Sequence, residues 1–321
     1  MTVAAVIPHW NRRELLTELM ENLKRQTRAF DRVIVADNGS TDDSAEIAER
    51  AGACVLRLDA NLGFAAAVNR GIEVADCDWV AILNNDVTLD PGWLETLLDG
   101  ARREQVSFAA GKILSASRPG LIDGCFDETA RSGCAWRCGA GRPDSTVWNQ
   151  PRRIRMAPMT AALFRRDLFH HVGLLDERFE SYLEDVDFGL RCALQGFAGA
   201  YVPDALAWHL GSATAGAWSS DVVRRISRNQ VLLAAKYLLD QPRWPVIAGQ
   251  SLWGLVAFRH GKLLSYIKGK RQGCREGPPR VLADPGVLSA VLAESERIIF
   301  ELQQQTGFDW YWRIYFWLLR R

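Results

Sequence analysis

The 321-residue chain has no uninterrupted apolar run of about 18 residues, so it offers no helix able to span a bilayer. No basic stretch precedes its first apolar residues, Met1-Thr2-Val3-Ala4-Ala5, and Pro8-His9-Trp10 closes that run, so the start does not read as a signal peptide. Net charge is nearly absent: 39 Lys or Arg against 38 Asp or Glu leave +1, which argues against a nucleic-acid binder. No G-x-G-x-x-G follows the first predicted strand, which weakens a dinucleotide oxidoreductase, and no G-x-x-x-x-G-K-[ST] is present, which weakens a P-loop enzyme. Paired cysteines are missing too. Seven Cys, an odd number scattered along the chain, fit a reducing cytosol. Cys125, Cys134 and Cys138 lack a C-x-x-C pair and an obvious fourth ligand, so they read as ordinary thiols rather than a zinc site.

What is present is ordinary for a globular protein with more than one domain: 48% apolar and 24% charged residues. The stretch Ala81-Ile82-Leu83-Asn84-Asn85-Asp86-Val87 organises the rest. Trp79 to Leu83 reads as a buried strand that runs straight into two amides and a carboxylate. Polar oxygen at the C-terminal edge of an open α/β sheet lies where ligands bind. Hard oxygen ligands there suit Mg2+ or Mn2+ carrying a diphosphate. The plainer reading is a polar turn before the next helix.

The preceding chain alternates strand and helix. Strands are predicted at Val3–Ile7, stopped by Pro8, then at Val33–Ala36 and Cys54–Leu58. Helices are predicted from Asn11, with Glu14 completing a capping box, then at 43–50 and 65–74. Short connections between these predict a mostly parallel sheet with right-handed crossovers. Asn11, Asp37, Asn61 and Asp86 each follow a strand, and together they make a nucleotide-sized cleft at one sheet edge. Asp90-Pro91 is expected to open the next helix, and 106–114 to form another strand. Residues 115–151, rich in Gly, Arg, Cys and Pro, read as a long loop or small subregion over the site. Helical spacing returns at 185–194. A strand is expected at Ala200-Tyr201-Val202, with Trp208-His209-Leu210-Gly211-Ser212 after it, and then a helix at 222–239.

In order along the chain stand Val6-Ile7-Pro8-His9-Trp10-Asn11, Val35-Ala36-Asp37-Asn38-Gly39-Ser40-Thr41-Asp42, Asn61-Leu62-Gly63-Phe64, Asn69-Arg70-Gly71, Leu83-Asn84-Asn85-Asp86, Phe179 to Asp187, and His209. This ordered set resembles the family 2 glycosyltransferases, in the branch of rhamnosyltransferases and galactofuranosyltransferases, and covers roughly residues 2 to 237. The resemblance implies a GT-A, Rossmann-like fold: a mostly parallel central sheet flanked by helices, with a helical C-terminal extension. It implies a catalytic domain over 1–240, divided into a nucleotide-sugar-binding half (1–114) and an acceptor and catalytic half (115–240), followed by a helical region over 241–321.

By that resemblance Asp37 accepts from the nucleotide base, a role that needs an ionised acceptor beside ring N–H donors, and Pro8 and Asn11 shape the same pocket. An Asx turn or helix cap is the plainer role for Asp37. Asn61 and Gly63 sit near the donor, as do Asn84 and Asn85. Asp86 and His209 hold Mg2+ or Mn2+, which neutralises charge on the departing diphosphate. Asn84 stands where the family's first acidic residue usually is, leaving one carboxylate. Asp185 is the base that takes the acceptor hydroxyl's proton, giving inversion in one displacement, and Glu184 binds acceptor hydroxyls or shares that work. Asp187 and Arg191, four apart, read as a structural ion pair.

The function implied is sugar transfer from a nucleotide sugar, with dTDP-rhamnose the leading donor, to a glycan or polyprenyl-linked acceptor in envelope polysaccharide synthesis. UDP-galactofuranose or a UDP-hexosamine on the same fold is the alternative donor. A non-catalytic nucleotide-sugar-binding protein is the alternative of another class. From Arg243 onward the chain holds 12 Lys or Arg against 6 Asp or Glu, about +6, leaving about −5 for the remainder. Aromatics sit beside Arg at Trp310-Tyr311-Trp312-Arg313 and at 314–321. Two readings of this tail stay open: peripheral docking on the anionic inner face of the cell membrane from a cytoplasmic location, or a helical hairpin packing on the catalytic domain or on a second subunit as a homo-oligomer.

Overall fold

The computed structural model describes residues 1–211, 218–277, 281 and 283–320. Ser212, in the stretch containing His209, and Arg321, at the end of the tail, lie outside them. The chain divides into two compact units, Met1–Phe126 with Gly139–Gly211 and Asp127–Cys138 with Ser212–Arg321.

In chain order the first unit begins β1 (Val3–His9), α1 (Arg13–Leu23), β2 (Arg32–Asp37), α2 (Ser44–Arg50), β3 (Cys54–Arg57), α3 (Phe64–Val74), β4 (Trp79–Leu83), β5 (Val87–Leu89), α4 (Trp93–Glu104), β6 (Phe108–Ser115) and β7 (Ile122–Gly124). The second unit interposes β8 (Asp127–Thr129) and β9 (Ala135–Arg137). The first unit resumes with β10 (Arg152–Ile154), β11 (Ala161–Arg165), α5 (Arg166–Val172), α6 (Glu184–Leu194) and β12 (Gly199–His209).

The sheet of the first unit runs β10-β12-β6-β11-β4-β1-β2-β3, with β5 on β12 and β7 on β6. β4, β1, β2 and β3 pair in parallel, as βαβ connections require. β11 runs antiparallel between β4 and β6, so the sheet is mixed. Its core is the apolar run of the central strands (Val3, Ala5, Ile7, Val35, Ala81, Leu83, Leu163) under Leu16, Leu19, Trp93 and Leu97.

Four local expectations change. β1 continues through Pro8 because only β2 pairs there, Pro8 opposite Ala36, while β4 stops at the Val6 register; with one edge open, the missing N–H costs no ladder bond. The capping box at Asn11 does not form. Asn11 and Arg12 take left-handed backbone (φ 54° and 64°), and the Asn11 side chain is used across the cleft instead. β12 is 11 residues long rather than three. Pro203 does not end it, because a bulge between Val202 and Leu206 absorbs the proline. Gly111 makes room for that bulge: a Cβ there would lie 2.0 Å from Ala205 O. Residues 115–151 are not one loop. They hold β7 to β9 and a short 3-10 turn at Thr146–Asn149, and 127–138 belong to the second unit.

The second unit adds α7 (Ser220–Tyr237), α8 (Arg243–Arg259), α9 (Leu263–Glu276), α10 (Pro285–Thr306) and α11 (Trp310–Leu319) to the β8–β9 hairpin. α7, placed by sequence in a domain ending at 240, packs here against α9. Gly269 and Gly273 let α9 approach the α7 backbone, since a Cβ on either would meet Arg224 O or Arg228 O within 2.7 Å. Thr129 N donates to Ser295 Oγ at 2.9 Å, tying the hairpin to α10. Glu296 accepts from Arg131 Nε and Tyr315 OH at 2.8 and 2.7 Å.

Candidate active site at the strand ends

Every parallel strand of the first unit delivers its polar residues to one edge. β1 ends at His9 and β2 at Asp37, register partners across the pair. Asp37 is buried and its Oδ1 accepts from Ser40 N at 3.3 Å, an Asx turn that leads the chain toward α2. Asn11 lies across this turn. Its N donates to Ser40 Oγ at 2.7 Å and its Oδ1 accepts from Thr41 N at 2.9 Å. Asn11, Asp37 and the end of β1 carrying Pro8 therefore form one rim.

Asn38, which the sequence reading quotes without a role, is the hub of the next part. Its Oδ1 accepts from Leu62 N at 2.8 Å, and its Nδ2 donates to Asn61 Oδ1 and Gly63 O at 3.1 and 3.0 Å. Gly63 has φ 92°, and a Cβ on it would lie 2.9 Å from Glu180 O. That close approach admits only glycine. Ala65 N donates to Glu180 O at 2.9 Å and Phe64 N to Ser181 Oγ at 3.3 Å. The turn at Asn61-Leu62-Gly63-Phe64 thus touches the loop that leads into α6.

That loop is strained. Glu180, Tyr182 and Leu183 take φ of 58°, 76° and 67°, and such residues concentrate at functional sites. Glu184 and Asp185 follow as the first residues of α6, both buried. A helix N-terminus favours their negative charge. Asp187 and Arg191 form the expected ion pair at 3.0 Å, and Arg191 also donates to Val172 O and Leu174 O at 2.8 Å.

β4 delivers Asn84, Asn85 and Asp86. Asn84 N donates to Thr160 O at 2.9 Å. Asn85 Nδ2 lies 2.9 Å from His9 Nδ1. Burial holds the His9 pKa down at about 4, against the pull of Asp37 and Asp42. The imidazole is therefore neutral at pH 7, and its buried Nε2 has no hydrogen-bond partner.

Asp86 and His209 are brought together by pairing order. β5 lies on β12 with Val87 opposite His209, and Leu210 N donates to Asp86 O at 3.1 Å. His209 Nε2 stands 3.1 Å from Asp86 Oδ1, yet that buried oxygen accepts no well-aligned hydrogen bond. On the other side β12 lies on β6 and β6 on β7. This places Asp123 Oδ2 2.9 Å from His209 Nδ1. Burial lowers the His209 pKa, but the Asp123 and Asp86 carboxylates outweigh it and raise it to about 9.

Asp123 is the residue that sequence reasoning missed. Its only signal is an acid inside Leu121-Ile122-Asp123-Gly124, in a segment read as loop. A carboxylate on one imidazole nitrogen sets the tautomer and aims the other nitrogen at a cation.

The donor set fits a divalent ion that a diphosphate also holds. An orphaned carboxylate oxygen faces an imidazole nitrogen, a pair that suits Mn2+ or Mg2+ completed by phosphate oxygens. Among the described residues no group of three or more His, Cys, Asp or Glu is arranged to hold a metal alone. A separate cleft of about 370 Å3, lined by Met1, Asp78, Arg165, Arg166 and His170, holds none of these candidate residues.

The fold is of the GT-A type, and the chain is a nucleotide-sugar-dependent glycosyltransferase by family. The chain belongs to glycosyl transferase family 2, whose model matches residues 4–173. Among its relatives, the N-acetylglucosaminyl-diphospho-decaprenol L-rhamnosyltransferase of Mycobacterium tuberculosis is 32% identical over 223 residues, covering 60% of this chain and 71% of that one. The pre-mycofactocin glycosyltransferase of the same species is 30% identical over 210 residues, 64% of this chain and 42% of that one. In fold, GalNAc-T7, solved with UDP, GalNAc and Mn2+, superposes with a TM-score of 0.66 at 13% identity, over 96% of this chain and 58% of that chain. The mannosyltransferase PcManGT of Pyrobaculum calidifontis, solved with GDP-Man and Mn2+, gives 0.54 at 16% identity, over 98% and 85%.

Proposed function

We propose that the chain transfers a hexose, with inversion, from a nucleoside diphosphate sugar to a hydroxyl of a glycan or polyprenyl-linked acceptor. The observation that carries this reading is the Asp86–His209 pair at the strand edge, backed by Asp123. Asp37, Asn11 and Pro8 bind the nucleoside, while Asn61, Gly63, Asn84 and Asn85 line the donor. Asp86 and His209 hold Mn2+ or Mg2+, which supplies charge neutralisation at the diphosphate. The acceptor oxygen bonds to the anomeric carbon as the bond from that carbon to the diphosphate oxygen breaks. Asp185 takes the hydroxyl proton, and Glu184 orients the acceptor.

A UDP-sugar, such as UDP-galactofuranose or a UDP-hexosamine, is the donor we favour. UDP occupies a structurally similar enzyme, although that likeness is one of fold. A second reading, dTDP-rhamnose, has one specific support in the 32% identical rhamnosyltransferase. The decaprenol in that relative's name supports a lipid-linked acceptor, and hence peripheral contact with a membrane. No helix of the described residues is long and apolar enough to cross one. Seven free thiols support a reducing, cytoplasmic setting. Transfer assays with UDP-hexoses, UDP-galactofuranose and dTDP-rhamnose, each with and without Mn2+, test the reading. Turnover with one UDP-sugar and not with dTDP-rhamnose is expected. Turnover with dTDP-rhamnose alone moves the donor to the second reading. Turnover with none overturns the proposal.

A further inference from the structure

The C-terminal unit carries an apolar face that its own packing leaves outside. α8 and α11 lie side by side and antiparallel. Trp244 Nε1 donates to Leu318 O at 3.4 Å at one end, and the Arg259 guanidinium lies 5.4 Å over the Trp310 ring at the other. α8 turns Pro245, Ala248, Leu252 and Ala257 inward. At helical spacing on its other side stand Trp244, Ile247, Leu255 and Phe258, which are 51, 55, 53 and 62% exposed. α11 buries Tyr311, Trp312 and Tyr315 and exposes Ile314 and Trp317. Leu264, 74% exposed, is the second residue of the next helix, six residues beyond Phe258. From Trp244 to Phe258 the stripe is about 21 Å long at the helical rise. Single exposed apolar residues are normal, but apolar residues recurring along one helix side, with exposed Ser251 between Ile247 and Leu255, mark an interaction surface.

Positive charge predominates around that row: Asp240 and Asp309, exposed just ahead of α8 and α11, are outnumbered by the cations. α8 and α11 contain no acidic residue, and the one acid of α9, Glu276, is paired with Arg228 at 2.6 Å. Arg243 and Arg259 bracket α8, Lys262 follows it, and Arg313 and Arg320 lie on and just after α11. Two copies of the chain meeting through this face would set those cations against each other, a costly juxtaposition. An anionic lipid surface answers both features. Trp suits the headgroup layer, aliphatic and Phe side chains reach the acyl boundary, and Lys and Arg meet phosphates.

We propose that the α8–α11 face docks the protein on an anionic bilayer, with its helices lying in the interface rather than spanning it. This deepens, and for its purpose rests on, the lipid-linked acceptor reading above. Docking would hold the enzyme on the surface where such an acceptor is anchored.

The test is flotation of the full-length protein with phosphatidylglycerol-rich vesicles and with pure phosphatidylcholine vesicles. Two variants accompany it, Phe258→Glu with Trp317→Glu, and Arg243→Gln with Arg259→Gln and Lys262→Gln. The intact protein is expected to float with the anionic vesicles only. The apolar variant should bind at least about tenfold more weakly, and the charge variant about 100-fold more weakly. Phe258, Trp317, Arg243 and Arg259 are exposed, whereas Lys262 is half-buried with Nζ 3.3 Å from Ser220 Oγ and Arg259 also lies over Trp310, so circular dichroism checks that both variants fold. Absence of binding to anionic vesicles, or binding unchanged in the charge variant, overturns the proposal. So does a dimer in gel filtration that the apolar variant dissociates while no vesicle binding is seen, because the face would then be a protein interface. Transfer to a water-soluble acceptor is measured in parallel. Its persistence without docking removes only the surface proposal, and its absence with docking intact removes only the transferase reading.

Discussion

Buried polar groups occur in both units, and they differ in what they leave unfinished. In the C-terminal unit, Gln250 donates to Ser132 O and Gln230 O, Lys270 donates to Gln230 and Gln250, and Glu296 accepts from Arg131 and Tyr315. Those side chains satisfy one another and tie the β8–β9 hairpin to helices far away in sequence. At the strand edge of the first unit, His9 Nε2 is buried without a hydrogen-bond partner, and Asp86 Oδ1 has only the poorly aligned His209 Nε2 at 3.1 Å. A buried polar atom left alone costs roughly 1–3 kcal/mol; Thr129 Oγ1 in the C-terminal unit and Trp93 Nε1 in the first are others, so it is the gathering of His and Asp groups at one sheet edge that marks the second group. The contrast separates scaffold from site: substitutions in the first group should lower stability, and those in the second should lower binding or turnover.

The sharpest way to break this comparison is at Asp185. Asp185→Asn should reduce transfer by about a thousandfold, as loss of a general base does, with nucleotide affinity and melting temperature unchanged. A drop in melting temperature instead would make the α6 N-terminus a scaffold feature.

Next in size is the acid response of His9. Its imidazole titrates at 6.5 when unfolded and at about 4 when folded, so the unfolded chain binds more protons between those values. Stability from this group is complete above pH 6.5 and is lost as pH falls toward 4, by roughly 3 kcal/mol. His209 is raised to about 9 and acts only above 6.5, while carboxylates held low, such as Asp42 and Asp221, add to the acid limb, so the difference from His9→Gln isolates His9. Urea melts at descending pH should show this slope in the native chain and a flatter one in His9→Gln.

Glu296→Ala removes a buried carboxylate from four donor groups on two residues, Tyr315 and the partly exposed Arg131. It should cost about 2 kcal/mol, discounted for that exposure, and lower the melting temperature by several degrees without changing nucleotide affinity. Last is Asp123→Asn, which keeps the size of the side chain behind His209 and loses its charge. A tenfold weaker Mn2+ affinity, read by calorimetry with a nucleoside diphosphate present, is expected. No change would confine Asp123 to packing.

Much of the first half was legible. β1 to β4 alternate with helices, and each strand ends in a polar residue, so Asp37 and Asp86 could be assigned to one edge from periodicity alone. The Asp187–Arg191 pair was legible because it is local, four residues apart on one helix. What escaped depends on partners distant in sequence. Asn11 reads as a cap, yet its side chain bonds Thr41 N in the next strand-end turn. The strand expected at Ala200-Tyr201-Val202 is short, yet a bulge carries β12 on to His209. Asp123 becomes meaningful only once β7, β6, β12 and β5 stand in order. The 127–138 hairpin could be read only as part of a long loop or small subregion because its partners, Ser295 and Glu296, lie on a helix late in the chain.

The account turns on Asp86 being an unfinished ligand rather than a strand-end turn. Calorimetric titration of UDP, with and without Mn2+, into the native chain and Asp86→Ala tests this most directly. Binding that needs Mn2+ and falls at least about tenfold in Asp86→Ala, with the fold equally or more stable, is the result predicted. Metal-independent binding of equal strength in both proteins would contradict it.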